Sequence, residues 1–259
     1  MKLTKENYKL RREKIKLLIK KGISLNKISS KLQIAKSTLY HHYKKIKGKK
    51  TKAVVIPKDD AILGEFLGAF AGDGNFFYDK KYGHYTISFH FHATDDKKYA
   101  DYIKSLTEIN FRKKVRSYTN NQNKLSLVFY SKDIYKIIFD NLGVKGKKGV
   151  NLKIIKPIKS LSKDFKISFI RGLIDTDGHV NKYGQIILSL IAMGLVKQVS
   201  SMLLDLGIQN KLSIRKKQDP WQDQLELKIL KKDALKYNKF IGFSNKRKQK
   251  NLNIYDKLD

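Results

Sequence analysis

Residues 170–178 of this chain read IRGLIDTDG, and residues 66–74 read FLGAFAGDG. Each stretch is an apolar run with small residues in its middle, and each ends in an Asp-Gly pair whose aspartate is Asp73 or Asp177. A single Asp-Gly pair is most simply a turn that closes a helix. Because two copies occupy matching positions in one chain, the repeat instead predicts two related half-sites, each with one carboxylate.

The small residues of the two copies recur at a helical spacing. Gly68 and Gly72 lie four positions apart in the first copy, as do Gly172 and Thr176 in the second. Residues four apart share one face of an α-helix, and small side chains on that face let two backbones approach closely. We therefore expect the two motif helices to pack against each other, so that their carboxyl-terminal ends meet.

The composition favours a folded intracellular protein with a polyanionic partner. The 259 residues carry a formal net charge of +33, contain no cysteine, and include 13 Phe and 14 Tyr. Nucleic acid is the usual partner at such a charge, and the missing thiols exclude disulfides, zinc fingers and thiol catalysis. The chain lacks a run of about 18 apolar residues, so we expect no membrane partner. We expect a monomer in the cytoplasm or nucleoid of a prokaryote, or in an organelle.

A small all-α domain is predicted for residues 1–47. The apolar spacing indicates three helices, at residues 10–21, 25–32 and 36–46, and Ser24 is placed to cap the second. The stretch SLNKISSKLQIAKSTLYHHYKK resembles helix-turn-helix DNA-binding modules. Gln33 stands where the turn usually has Gly, and Ala35 stands where a capping Ser is common. The alternative is a basic three-helix bundle that reads no sequence.

The helix-turn-helix resemblance implies that the third helix faces the major groove or the flanking phosphates. The residues expected to contact DNA there are Lys36, Ser37, Thr38, Tyr40, His41 and Lys44. Residues 48–59 are rich in Lys and Gly and are predicted to be a basic linker.

The rest of the chain repeats internally as two halves, residues 60–156 and 157–259. In each half the patterns predict a motif helix, two strands, a helix, two strands and a final helix, the order αββαββα. Even the segments after the final helices match, with a KxxNL pattern that begins at Lys148 in one half and Lys248 in the other. The fold class predicted is α+β, a pseudo-twofold pair of such halves.

On these residues the chain resembles the LAGLIDADG homing endonucleases in their single-chain form with two motifs. The resemblance covers about 200 residues, with IRGLIDTDG a near-complete match and FLGAFAGDG a weaker one, since Ala71 stands at the sixth position, where Asp is usual. It implies two antiparallel four-stranded sheets that form a DNA-binding saddle. It also implies intron homing by metal-dependent double-strand cleavage of a long asymmetric DNA target.

A divalent cation is expected between the two motif aspartates. If Asp73 and Asp177 face each other, a hard cation such as Mg²⁺ relieves the repulsion between their carboxylates. The resemblance adds Gly72 and Thr176, which precede the aspartates, to the expected metal site. Mn²⁺ is expected to substitute for Mg²⁺, and Ca²⁺ to bind without supporting cleavage.

The resemblance also implies a basic residue in the tail of each half and a polar residue after the second strand. Lys148 and Lys248 match the first role, in which they polarise the attacking water or stabilise charge on the phosphate. Asp95 matches the second role in the first half. The corresponding stretch of the second half holds Met193 and Gly194, so we expect two unequal half-sites.

Base reading is expected from the polar face of each sheet. Alternation in YTISFHFHA predicts an apolar face of Tyr85, Ile87, Phe89 and Phe91, and a polar face of Thr86, Ser88, His90 and His92. Further candidates in the first half are Arg116, Tyr118, Lys124 and Ser126. Those in the second half are Lys211, Ser213, Arg215 and Lys228.

Two other functions stay open at this point. An RNA maturase that assists intron splicing would need the same basic sheet surface, with intron RNA as its partner. A catalytically inactive DNA-binding regulator is the third possibility. The two intact motif aspartates favour the nuclease, and the helix-turn-helix segment favours DNA over RNA.

Overall fold

The chain divides into two compact units, residues 1–53 and 54–259. The computed structural model describes residues 5–48, 54–144 and 148–256. The boundary between the units falls inside the predicted linker, of which residues 49–53 lie outside the described part. Among the helices described, none is long and apolar enough to cross a membrane.

The first unit is a bundle of three helices, α1 (Lys5–Lys20), α2 (Leu25–Leu32) and α3 (Lys36–Lys47). Its core is built from Ile15, Ile19, Ile28 and Leu39. The Ser24 hydroxyl accepts a hydrogen bond from the amide of Lys27, as expected of a capping residue. The turn before α3 carries both departures seen in the sequence: Gln33 adopts a left-handed backbone with φ of 49°, and Ala35 caps α3 without a side-chain bond.

The second unit consists of two successive halves with the same order of elements. The first half contains α4 (Asp60–Asp73), β1 (Gly74–Asp79), β2 (His84–His92), α5 (Lys97–Asn110), β3 (Arg116–Thr119), β4 (Lys124–Tyr130) and α6 (Lys132–Leu142). The second contains α7 (Lys163–Asp177), β5 (Gly178–Val180), β6 (Ile186–Leu190), α8 (Met193–Asp205), β7 (Lys211–Arg215), β8 (Gln224–Ile229), α9 (Lys231–Phe240) and α10 (Lys246–Asp256).

Each half forms one antiparallel four-stranded sheet, in the orders β1-β2-β4-β3 and β5-β6-β8-β7. The expected α+β fold with two αββαββα halves is therefore confirmed. Ile87, Phe89 and Phe91 are buried beneath the first sheet, as alternation predicts. The helices cover this apolar face, and the opposite face of the sheet carries the polar side chains.

One element of the second half is expected only from the repeat, and another is not expected at all. Strand β5 has three residues, too few for the alternation that reveals a strand. Helix α10 reads KRKQKNLNIYD and lacks the apolar stripe of an amphipathic helix. The matching segment at residues 148–152 of the first half is not helical, so the tails of the two halves differ although their KxxNL patterns agree.

The motif helices α4 and α7 pack backbone to backbone along the axis that relates the halves. A β-carbon on Gly68 would overlap the carbonyl oxygen of Phe169, and one on Gly172 would overlap that of Glu65. A β-carbon on Gly64 would lie 2.7 Å from the carbonyl oxygen of Phe165. Glycine is therefore required at these positions by the closeness of the neighbouring helix.

Substituting Gly68 with Ala tests this contact. The added methyl group has no room, so α4 and α7 must separate, and we expect the free energy of unfolding to fall by about 2–3 kcal/mol or more. Gly194→Ala in α8 is the matched control, since a β-carbon there meets no atom within 4 Å, and it should change stability by about 0.5 kcal/mol or less. Urea unfolding measures both. Equal stability of the Gly68→Ala variant and the wild type would contradict the packing.

Candidate active site

The candidate site lies where α4 and α7 end together. Asp73 is the last residue of α4, and Asp177 is the last residue of α7. A β-carbon built on Gly72 would overlap the side chain of Thr176 and would lie 3.2 Å from the Asp177 carboxyl carbon. The carboxyl-terminal ends of the two helices are thus in contact, and the aspartate of one half borders the helix of the other.

Both carboxyl groups are held where ionisation is unfavourable. Burial, followed by the charge of Asp177, raises the pKa of Asp73 from 3.8 to about 7. The protein packed around Asp177 also raises the pKa of its carboxyl group, although the side chain retains contact with solvent. The positive charges of Lys148 and Lys248 oppose the shift at both aspartates.

Each lysine of the KxxNL segments bonds to the end of the motif helix of its own half. The Lys148 ammonium group donates hydrogen bonds to the carbonyl oxygens of Phe70 (3.0 Å), Ala71 (2.9 Å) and Gly72. The Lys248 ammonium group donates to those of Ile174 (2.8 Å) and Thr176 (2.9 Å). The carbonyls of Phe70 and Ile174 also accept from the amides of Gly74 and Gly178. Those of Ala71, Gly72 and Thr176 lie in the last helical turns, where a carbonyl has no amide partner within the helix.

Burial lowers the pKa of each lysine to about 8, and the aspartates oppose the shift. Lys248 is the more enclosed of the two, with 5% of its surface exposed, whereas Lys148 is half-buried. An ammonium group has three donors, and the three bonds of Lys148 use all of them. Direct donation from Lys148 to a phosphate therefore requires that one of these bonds be released.

The sixth motif position differs between the halves as the sequence indicated. Ala71 is packed in the core of the first half. Asp175 is 1% exposed, and one carboxylate oxygen accepts a bond of 2.8 Å from the amide of Ser244. Among the described residues, the other oxygen has no partner. Burial raises the pKa of Asp175 to about 7.

Two adjacent carboxylates follow β2, Asp95 and Asp96. Asp95 pairs with His92 on the surface, with 3.2 Å between carboxylate oxygen and ring nitrogen. Burial and the charge of Asp177 are the main causes of the raised pKa of Asp73, and the neighbouring residue Asp96 adds a smaller contribution. Asp96 also accepts a bond from Arg247, just before Lys248. Sequence alone did not distinguish the two adjacent carboxylates.

An ion pair across the two motif helices was not anticipated. Arg171 of α7 donates to Glu65 of α4 at 2.7 Å, and the Ser244 hydroxyl donates to the same carboxylate at 2.5 Å. Glu65 is 3% exposed. The sequence does contain a signal for this pair: each motif helix carries one charged residue within a mostly apolar stretch. Buried charges need partners of opposite sign, so the two residues could be predicted to pair.

The donor set fits a hard divalent cation in part. Asp73 and Asp177 provide neighbouring carboxylate oxygens, which Mg²⁺ prefers, with water and phosphate oxygens to complete the coordination. The carbonyl oxygens of Gly72 and Thr176, the other expected contacts, already accept lysine hydrogen bonds. No group of three or more His, Asp or Glu side chains suited to a metal occurs in the described residues.

The register of the first sheet places the expected base-reading residues on one face. Thr86, Ser88, His90 and His92 pair across the sheet with Tyr130, Val128, Ser126 and Lys124, and Arg116 and Tyr118 lie opposite Val128 and Ser126. Ser88 is an exception to the expected access, because it is 7% exposed. The His90 ring lies between the hydroxyls of Ser88 (3.2 Å) and Ser126 (3.0 Å), so Ser88 orients His90.

In the second sheet, the candidates also share a face, since Lys211, Ser213 and Arg215 lie opposite Lys228, Glu226 and Gln224. Lys228 contacts Glu226 at 3.6 Å. In the separate amino-terminal unit, the six candidate residues of α3 are all exposed. Exposure and a shared face make these residues available to a ligand.

Comparison with known proteins identifies the fold. Residues 164–242 match the family model of a LAGLIDADG-like domain. The structure superposes on the homing endonuclease I-DmoI in complex with DNA and Mn, with a TM-score of 0.56, 21% identity, and coverage of 72% of this chain and 99% of that one. It also superposes on full-length DUF199/WhiA from Thermatoga maritima, with a TM-score of 0.52, 17% identity, and coverage of 79% and 62%.

A curated relative is the replication factor C small subunit of Methanocaldococcus jannaschii, 30% identical over 194 residues. The match covers 73% of this chain and 10% of the relative. The chain thus spans about a tenth of that protein's length.

Removing the Asp73 charge should stabilise the protein in the absence of divalent cations. A folded-state pKa of about 7 against 3.8 means that stability is lost as pH rises from about 4 to about 7. Asp73→Asn abolishes this loss, so the variant should exceed the wild type by about 1–3 kcal/mol above pH 7 and match it near pH 4.

Urea unfolding in EDTA at pH 4, 6 and 8 measures the difference. Asp205→Asn is the control, because Asp205 pairs with Lys166 on the surface, and its pH profile should follow the wild type. A wild type more stable than Asp73→Asn at pH 8 would contradict the electrostatics of the site.

Proposed function

We propose that this chain, which carries a LAGLIDADG-like domain within a fold shared with a homing endonuclease, is a site-specific, divalent-metal-dependent endonuclease that cleaves double-stranded DNA. The observation that carries the proposal is the meeting of Asp73 and Asp177 at the ends of α4 and α7, with a lysine seated on each helix end. The I-DmoI structures in complex with DNA and Ca or Mn support the choice of ligand and metal for this fold.

The two aspartates are suited to hold Mg²⁺. Each lies at the carboxyl-terminal end of a helix, where the helix dipole is unfavourable to negative charge, and each carries a raised pKa. Bound Mg²⁺ or Mn²⁺ supplies a Lewis acid that activates water and stabilises the leaving oxygen of a phosphodiester.

The chain's own residues provide orientation and charge. Lys148 and Lys248 fix the last turns of the two motif helices through carbonyl hydrogen bonds, and so hold the aspartates in place. Their positive charges face the region where a phosphate gains negative charge during hydrolysis, which lowers the energy of that state. The pseudo-twofold arrangement gives each DNA strand its own aspartate and lysine.

Recognition of the target is assigned to the polar faces of the two sheets. A sheet of this kind fits the major groove and presents alternate side chains to base edges. His90 is held by two serine hydroxyls, which gives it a fixed orientation towards a base. The net charge of +33 supports extensive phosphate contact, and the helices of the first unit add contacts outside the cleaved region.

Cleavage should require both aspartates. The purified chain is incubated with supercoiled plasmid carrying the uninterrupted insertion site of its gene, and linear product is followed on gels. We expect cleavage with Mg²⁺ or Mn²⁺, binding without cleavage with Ca²⁺, and a loss of at least about 100-fold in Asp73→Asn and Asp177→Asn. Asp205→Asn is the control, with activity like that of the wild type.

Two results would overturn the assignment. Specific DNA binding without cleavage under any of these metals identifies a non-catalytic DNA-binding protein. Tight binding to intron RNA together with inactivity on DNA identifies a maturase. If the chain is the proposed nuclease, gel-shift assays should show that Asp73→Asn and Asp177→Asn bind the DNA with wild-type affinity.

Binding should depend steeply on salt. If about ten phosphates are neutralised, a plot of log affinity against log salt concentration has a slope of about −9. Replacing Arg215 or Lys228 with Ala should change that slope by about one unit if the residue contacts a phosphate, and should change base preference if it reads a base. Fluorescence anisotropy across a salt series measures the slope, and a salt-independent affinity would exclude phosphate-dominated binding.

A further inference from the structure

The amino-terminal end of α10, which carries Lys248, is tied to both halves of the second unit. The amide of Ser244 donates to Asp175 of the second half, and its hydroxyl donates to Glu65 of the first half. The next residue, Asn245, is 3% exposed and donates to the backbone carbonyl of Asp175 at 3.4 Å. The segment that leads into α10 therefore lies against the contact between the motif helices.

Asp96 provides the charged tie from the first half. Its Oδ1 atom accepts hydrogen bonds from the Arg247 guanidinium (2.8 Å) and from the Asn245 side-chain amide (3.0 Å). Charge-assisted bonds of this length are among the stronger hydrogen bonds in proteins. Although Asp96 stands at the start of α5, its side chain makes no capping bond to that helix.

The contact of Asp96 lies next to the candidate site. Arg247 directly precedes Lys248, whose ammonium group is bonded to the end of α7. The negative charge of Asp96 acts on both Lys248 and Asp73. A residue of the first half thus touches the segment that positions the lysine of the second half.

Few of the described side chains of helix α10 are apolar, so the burial of those side chains does little to hold the start of the helix. Its sequence is KRKQKNLNIYD, and Leu252 is the buried apolar residue among its described side chains. One buried leucine contributes about 1.5–3 kcal/mol, while a free helix of this length is marginal in water. The polar bonds to Asp96, Asp175 and Glu65 therefore decide where the helix begins.

The tie is one-sided. The residue that precedes α8, at the position corresponding to Asp96, is Ala192, which has no charged group. Lys148 of the first half lies in a non-helical segment, so the backbone that positions Lys148 differs from the helix that positions Lys248. The two candidate lysines are therefore held by unlike means, although their carbonyl partners correspond.

We propose that Asp96 is a positioning residue: through Arg247 and Asn245 it fixes the start of α10 and so seats Lys248 on the end of α7. The first half then controls the lysine of the second half, and the reverse control is lacking among the described contacts. The consequence for strand cleavage rests on the proposed nuclease function. The seating of Lys248 does not, and it can be tested without DNA.

The first experiment measures how readily each lysine is modified. The full-length protein is treated with an amine-reactive reagent, and the labelling rates of Lys248 and Lys148 are followed by peptide mass spectrometry. In Asp96→Ala and Arg247→Ala we expect Lys248 to react about tenfold faster, the effect of losing about 1.4 kcal/mol of holding energy. Lys148 keeps its rate and serves as the internal reference, and Arg247→Lys restores slow labelling of Lys248.

Asp205→Ala is the matched control, because it also removes an ion pair, to Lys166 at 2.9 Å. It should change neither labelling rate. Unchanged labelling of Lys248 in both test variants overturns the proposal. An equal increase at Lys148 and Lys248 also overturns it, since that result signals general loosening of the fold.

The second experiment follows each DNA strand separately in single-turnover nicking of end-labelled target DNA. Asp96→Ala should slow one strand about tenfold or more and leave the other within about twofold. If the wild type cuts DNA but both strands slow equally in the variant, the positioning role is wrong. If the wild type cuts no DNA, the nuclease proposal fails, and the labelling result alone decides the role of Asp96.

Discussion

The backbone contact between α4 and α7 is the constraint on which the rest of the second unit depends. At Gly68 and Gly172 the two helices are so close that a single methyl group would overlap the neighbouring backbone. No side chain fits between the helices at these positions, so the two backbones pack directly against each other. The carboxyl-terminal ends of α4 and α7 therefore lie together. Because each sheet begins at the residue after the motif helix, the same contact sets the relation of the two polar sheet faces.

This contact has an electrostatic cost at the helix ends. It brings together two carboxylates and the negative ends of two helix dipoles. The lysines of the KxxNL segments offset part of this charge by bonding to the terminal carbonyls, and the pKa of Asp73 still rises to about 7. The two carboxylates therefore lie where a divalent cation would relieve their repulsion, and the nuclease function proposed above depends on this arrangement.

The fold followed from the sequence because the same pattern occurs twice. The repeat gave the motif helices, the order of strands, and the matched pair Lys148 and Lys248. Features set by tertiary contacts did not follow from it. The contact of Asp96 depends on Arg247, about 150 residues away in sequence. Helix α10 lacks the apolar stripe by which a sequence predicts a helix. The carbonyls of Gly72 and Thr176 were expected at a metal, and only the structure reveals their lysine partners.

The most direct test of a shared site is the stoichiometry of Mn²⁺ binding, measured by electron paramagnetic resonance on the protein bound to target DNA that carries non-hydrolysable linkages at the scissile positions. If Asp73 and Asp177 form one site, Asp73→Asn and Asp177→Asn should each lower the affinity for all of the Mn²⁺ that binds at this site. If the aspartates belong to two independent sites, each substitution removes half of the bound metal and leaves the other half unchanged. That second result would contradict the convergence of the two motif helices on a common cation.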